Sequence, residues 1–149
     1  MTEIAKPMAR QIDGPVGFGG WLIMPMLATF LFPVLFLFGV IQDISYLGQL
    51  PGNWKLFGYS DVAILSAMAV AGSAAIYFML KKSKIYPKIY ISILVANVAY
   101  SLYTIAALGG FGVIGIQPYV QDLTRAVAVA IIWVPYMLVS KRVRNTFVN

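Results

Sequence analysis

Leu80-Lys81-Lys82-Ser83-Lys84-Ile85-Tyr86-Pro87-Lys88 is a short basic bridge between two long apolar runs. From Asp61 to Leu80 the chain carries no charge after Asp61, and from Ile89 to Leu108 it carries none. A helix needs roughly 20 apolar residues to cross a bilayer, so each run is long enough to span. The bridge is then the turn of a membrane hairpin, and its lysines place it on the cytoplasmic side.

Working outward, the same logic repeats. Trp21 to Ile41 is uncharged, and Gln121 to Ser140 carries only Asp122 and Arg125, both near its start. Lys6 and Arg10 precede the first run, and Lys141, Arg142 and Arg144 follow the last. Nine of the eleven Lys and Arg residues therefore fall in the two tails and the 81–88 bridge, which four spans bring to one side. The reading is an all-α integral membrane four-helix bundle with spans at about 21–41, 61–80, 88–108 and 121–140 and both termini cytoplasmic. The chain is a single transmembrane domain, 1–149. Residues 1–20 form a cytoplasmic tail, 42–60 and 109–120 outer loops, 81–87 a cytoplasmic loop and 141–149 a second cytoplasmic tail.

Composition agrees. The 149 residues are 60% hydrophobic and 11% charged, against about 25% charged in soluble domains. A globule this small has too little interior to bury that content, and lipid supplies the apolar solvent. The net charge of +6 flanks apolar runs instead of gathering on one face, which argues against a nucleic-acid footprint. Cys and His are absent, which removes disulfides, the usual metal sites and the common nucleophile pairs. No cofactor and no metal is expected. The run from Trp21 is too long for a signal-peptide core of roughly 7–15 residues, so it should remain as a span.

Prolines and glycines punctuate the runs. Pro33 lies inside the first span and should kink it. Pro51-Gly52-Asn53 signals a turn in the long outer connection, where Tyr46, Trp54, Phe57 and Tyr59 suit a loop lying on headgroups or a small lid. Ser60 or Asp61 can cap the second span, and Pro87 suits the first turn of the third.

Candidate working residues are polar groups held in lipid, because each must find a partner there. Tyr90, Asn97, Ser101 and Thr104 fall on one helical stripe with Tyr100 at its edge. They serve either as interhelical hydrogen bonds or as the lining of a polar pocket. Arg125 can pair with Asp122 three residues earlier, and Asp61 lies on the same side. This set is either an interfacial anchor or an anion site. Trp133 is deep for a Trp and should pack between helices with its N–H seeking a partner; Asn97 matches it in depth. Ala67, Ala71 and Ala75 put small side chains on one face and permit close helix approach. No paired carboxylates are expected within the membrane, and no catalytic residue is assigned.

Two stretches carry a resemblance. Gly19-Gly20-Trp21-Leu22-Ile23-Met24-Pro25 opens the first span, and the chain closes on Trp133-x-x-Tyr136 and Ser140-x-Arg142-Val143-x-x-Thr146-Phe147. With Arg125 early in the last helix, this order resembles the bacterial membrane family catalogued as domain of unknown function 2569. The resemblance implies a small four-helix protein of the bacterial inner membrane and brings no activity with it.

On sequence alone the chain is a multi-pass protein whose first partner is the lipid bilayer. It works by contact, as a non-catalytic accessory or scaffold subunit. That contact is with another membrane protein or with a second copy, as a homo-oligomer joined through the alanine face. The alternative is a small transporter, or a lipid- or anion-binding protein using Asn97 and Arg125. The basic segments are suited to anionic lipid.

The threading is testable because the chain lacks Cys. A single Cys at Asn53 should react with an impermeant thiol reagent in intact cells and one at Ser83 should not; the reverse pattern would invert the topology.

Overall fold

The computed structural model describes residues 14, 16–112 and 115–149; Lys6 and Arg10 of the expected N-terminal tail lie outside them. A 3-10 turn, Gly20–Leu22, leads into α1, Ile23–Leu47. There follow α2, Gly52–Leu80, α3, Tyr86–Gly110, α4, Gln117–Val139, and a short α5, Lys141–Thr146. No strand forms among the described residues. The four long helices are long and apolar enough to cross a membrane, and their outer faces are apolar, as along Leu27, Leu31, Val34 and Phe38 of α1.

The helices fall where the spans were expected, but they run further. The turn falls at residues 48–50, just before the signalled Pro51-Gly52-Asn53, of which Pro51 is the N-cap of α2 and Gly52 and Asn53 are its first residues. The expected outer loop 42–60 does not form, since only residues 48–51 lie between α1 and α2. The reason is packing. The inward stripe of α1 continues past Val40 to the half-buried Asp43 and Leu47, and that of α2 already begins at Gly58. Ser60 and Asp61 therefore sit inside α2 instead of capping it, and the Ser60 hydroxyl donates to the Phe57 carbonyl. Pro87 does sit in the first turn of α3. At about 1.5 Å per residue, the 28 and 29 residues of the first two apolar helices exceed a hydrocarbon layer of roughly 30 Å.

Close approach of α1 and α2 sets the frame. The helix continues through Pro33, which is buried. A Cβ added at Gly72 would lie 3.1 Å from both Cδ and N of Pro33. Further along, Gly39 meets Leu65, and Gly58 meets Leu47. Each step forward on α1 is matched by one step back on α2, so the pair is antiparallel in a single register. That register lays Asp43 against Asp61. α4 packs along α3, while α2 and α3 approach less closely and leave an apolar groove lined by Ala67, Ala71, Ile89 and Ile93 with Lys88 beside it.

Most of the core lies at the end that carries the described tails: Leu22, Ala75, Met79, Tyr86, Tyr90, Met137, Val143 and Phe147. Thr29 Oγ1 donates to the Pro25 carbonyl at 2.7 Å and pairs with the Tyr86 hydroxyl at 2.9 Å, tying α1 to α3. α2 ends with Lys82 N donating to Met79 O and Ser83 N to Phe78 O, a Schellman closure with Lys82 at φ 52°.

Gly72→Ala should destabilise the detergent-solubilised protein by about 1–3 kcal/mol, because the neighbouring Pro33 ring and backbone cannot swing away. Gly58→Ala meets only the ends of two leucines and should cost less. Gly109→Ala faces open space and should leave the thermal melt unchanged.

Candidate functional site

At the end opposite the tails, the α1–α2 register brings two carboxylates together. Asp61 stands in the buried stripe of α2 and is 9% exposed; Asp43 is half-buried on α1. Asp43, Asp61 and the Tyr100 hydroxyl of α3 are within electrostatic reach of one another. Asp61 Oδ1 and Asp43 Oδ2 are buried and receive no hydrogen bond among the described residues. Burying carboxylate oxygens without partners is costly, and the groups set against Asp61 are a second acid and the Tyr100 hydroxyl.

The carboxylates open into a cavity of about 400 Å³. Gln42, Tyr46 and Leu50 line it from the α1 side, Trp54, Phe57 and Gly58 from α2, Thr104 and Leu108 from α3, and Tyr119 from α4. A smaller recess of about 140 Å³ shares Tyr100, Thr104 and Tyr119 and reaches Ser101 and Asp122.

An aromatic frame fixes one wall. Trp54 stacks on Phe111 with ring centroids 4.2 Å apart and meets Phe57 edge-on at 6.4 Å. Phe57 stacks on Tyr103 at 5.7 Å, and the Tyr103 hydroxyl pairs with Ser60. These contacts tie the start of α2 to the end of α3. Of the aromatics expected to lie on headgroups, Trp54 and Phe57 brace a helix junction, while Tyr46 and Tyr59 are exposed.

The residues singled out in the sequence are spread over three places. Asp61 and Tyr100 reach the cavity, and Asp122 touches its side recess. Arg125 pairs with Asp122 at 3.2 Å as spacing required, but their side chains are 75% and 63% exposed, and Asp61 does not join them. Asn97 is half-buried and lies outside the cavity. Ser101 and Thr104 donate back to the carbonyls of Asn97 and Tyr100 in their own helix, so these two hydroxyls do not bridge helices. Trp133 is not at mid-depth beside Asn97. α4 begins at Gln117, which sets Trp133 toward the tail end, where it meets Trp21 at 6.5 Å and Tyr136 at 5.6 Å. Ala75 is fully buried inside the chain, while Ala67 and Ala71 line the α2–α3 groove.

Sequence reasoning missed Asp43 and the pairing of carboxylates. The pair forms near the far end of the two helices, where Asp43 faces Asp61. The signal was present in α2, where Gly58, Asp61, Leu65, Met68, Gly72, Ala75 and Met79 alternate in steps of three and four and are all buried. A charged residue in an inward stripe is a site signal.

The tail end is built from the two stretches quoted for the resemblance, which pack on each other. The Arg142 guanidinium covers Gly19 and Gly20, where a Cβ at Gly19 would lie 2.8 Å from Nη1. Gly17 N donates to Thr146 Oγ1 at 3.0 Å, Phe18 meets Phe147, and Ser140 caps α5. Asn149 then bonds the 81–84 turn, accepting from Lys84 N and donating to the Lys82 and Lys81 carbonyls.

A family model described as "Protein of unknown function (DUF2569)" matches residues 15–148, a range that holds both stretches and the cavity. No curated protein and no solved structure matches the chain.

Thr146→Val keeps the shape of a side chain that is 1% exposed and strands the Gly17 N–H. It should lower stability by about 1 kcal/mol, the loss of a part-buried hydrogen bond, read as an earlier thermal melt with an unchanged helical signal in circular dichroism.

Proposed function

The chain belongs to the DUF2569 family of proteins of unknown function, and from the carboxylates at its α1–α2 junction we propose that it is a small multi-pass membrane protein that binds a cation. The single observation that carries this reading is Asp61, nine-tenths buried with Oδ1 unbonded and Asp43 opposite it. Buried charge is retained where it is paired, and a positive ligand completes the pair. Binding, with or without transfer across the membrane, is the role of the cavity, and no reaction is assigned to it.

Support for the other readings is weaker. An anion site on Arg125 competes with the Asp122 carboxylate already bonded to it in an exposed position. A scaffold role through Ala67, Ala71 and Ala75 loses Ala75 to the interior of the chain, leaving Ala67 and Ala71 on the α2–α3 groove for a second copy or another membrane protein. In the proposed setting, the bacterial inner membrane with both termini cytoplasmic, the cavity opens on the outer face. The lysines and arginines at the other end then lie among anionic headgroups.

The purified protein in lipid nanodiscs should be stabilised against heat by at least one cation from a panel of inorganic and organic salts. Asp61→Asn should weaken that binding by at least tenfold, on the order of 1.4 kcal/mol, while Arg125→Gln should leave it unchanged. Ala71→Leu should not disturb it either. A wild-type protein indifferent to every cation would remove the proposal, and loss of assembly in Ala71→Leu alone would favour the scaffold.

A further inference from the structure

Resting on that reading, we infer that the cation is an organic ammonium, its nitrogen held at Asp43 and Asp61 and its carbon body against Trp54, Phe57 and Tyr119.

Size and donor set both point this way. The cavity, at about 400 Å³, falls within the roughly 300–1,000 Å³ of small-molecule sites and is far larger than a bare ion requires. Hard metal ions need about six to eight oxygen ligands in a tight shell. Here, no group of three or more acidic, His or Cys side chains suited to a metal exists among the described residues. What the cavity lacks is a positive charge to meet its two carboxylates. Asp61 Oδ1 and Asp43 Oδ2 are buried without a hydrogen-bond partner, and no Lys or Arg lines the space. An ammonium brings a positive charge together with N–H donors, or with polarised C–H groups if it is fully alkylated. It answers the charge and the missing bonds at one place.

The rest of the lining suits the carbon body of such a ligand. Aromatic faces attract cations within about 6 Å of the ring centroid, and Trp54 is held in place by its 4.2 Å stack on Phe111, so its face is prepared before a ligand enters. Leu50 and Leu108 supply further apolar wall. A site with acidic groups on one side and rigid aromatics on the other discriminates by charge and by bulk. Two sources offer this chemistry: a free amine and the ammonium headgroup of a zwitterionic lipid.

The test uses the full chain in nanodiscs of pure phosphatidylglycerol, titrated calorimetrically with phenethylammonium, tetramethylammonium, sodium, potassium, magnesium and calcium chlorides. At least one of the two organic cations should bind. Asp61→Asn and Asp43→Asn should each weaken it by at least tenfold, and Trp54→Leu by about fivefold. Inorganic cations at equal concentration should not displace it. Gel filtration and the thermal melt of each variant establish that it is folded, and Asp61→Glu, which keeps the charge, should retain part of the binding. Repeating the titration in discs containing phosphatidylethanolamine separates the sources. Competitive weakening identifies the lipid headgroup as occupant, and no change identifies a free amine; both outcomes uphold the organic ammonium. Asp61-dependent binding of a metal cation with neither organic cation bound would overturn the inference and leave the cation reading standing. Binding of no cation would end both.

Discussion

Contact between Gly72 and Pro33 is the constraint on which the rest of the molecule depends. Pro33 gives up a backbone donor inside α1, and its ring is accommodated because α2 presents a residue with no side chain at that height. Two helices locked this closely cannot slide by a residue without driving larger groups into each other. The register is thereby set along the whole antiparallel pair, from Thr29 near the tails to Leu47 near the far turn. Asp43 meets Asp61 as a consequence.

The two ends of this frame are finished differently. At the tail end, hydrogen bonds and rings close the structure: Thr29 to Tyr86, Gly17 to Thr146, Arg142 over Gly19 and Gly20, and Asn149 on the lysine turn. Short elements that would not hold alone are held by one another, which explains how residues after α4 become as buried as any in the helices. At the opposite end the aromatic junction of Trp54, Phe57 and Phe111 is well braced but encloses a space whose carboxylates lack donors. The tail end is held by its own hydrogen bonds and rings, with the Tyr90 hydroxyl left unbonded, and the other end encloses a cavity on which two carboxylates border.

The basic residues and the acidic cavity belong to opposite ends, and they answer different demands. Positive charge next to apolar runs fixes how the chain is inserted and needs no partner in the fold. Asp43 and Asp61 add nothing to that requirement and burden the packing. Arg125, the residue that stood out in the sequence for being set inside a helix, is relieved by Asp122 on an exposed face.

The apolar runs and the basic bridge at Lys81 to Lys88 were enough to give the number of long helices and their places, because insertion in lipid depends on length, hydropathy and flanking charge, all of which are local. Pro51 marked the boundary between the first turn and α2 for the same reason. The extent of α1 and α2 beyond the apolar cores was decided by tertiary packing. Polar residues from Gln42 to Ser60 have no local reason to be helical in preference to looped, and become so because each helix offers the other a continuous stripe. Asp61 could have been found from the three-and-four spacing of that stripe. Its pairing with Asp43, the meeting of the glycine entry with the last residues of the chain, and the separation of Trp133 from Asn97 could not. The first depends on the relative height of α1 and α2, which the fit of Pro33 against Gly72 sets; the other two depend on where α4 begins and on how the chain's two ends meet.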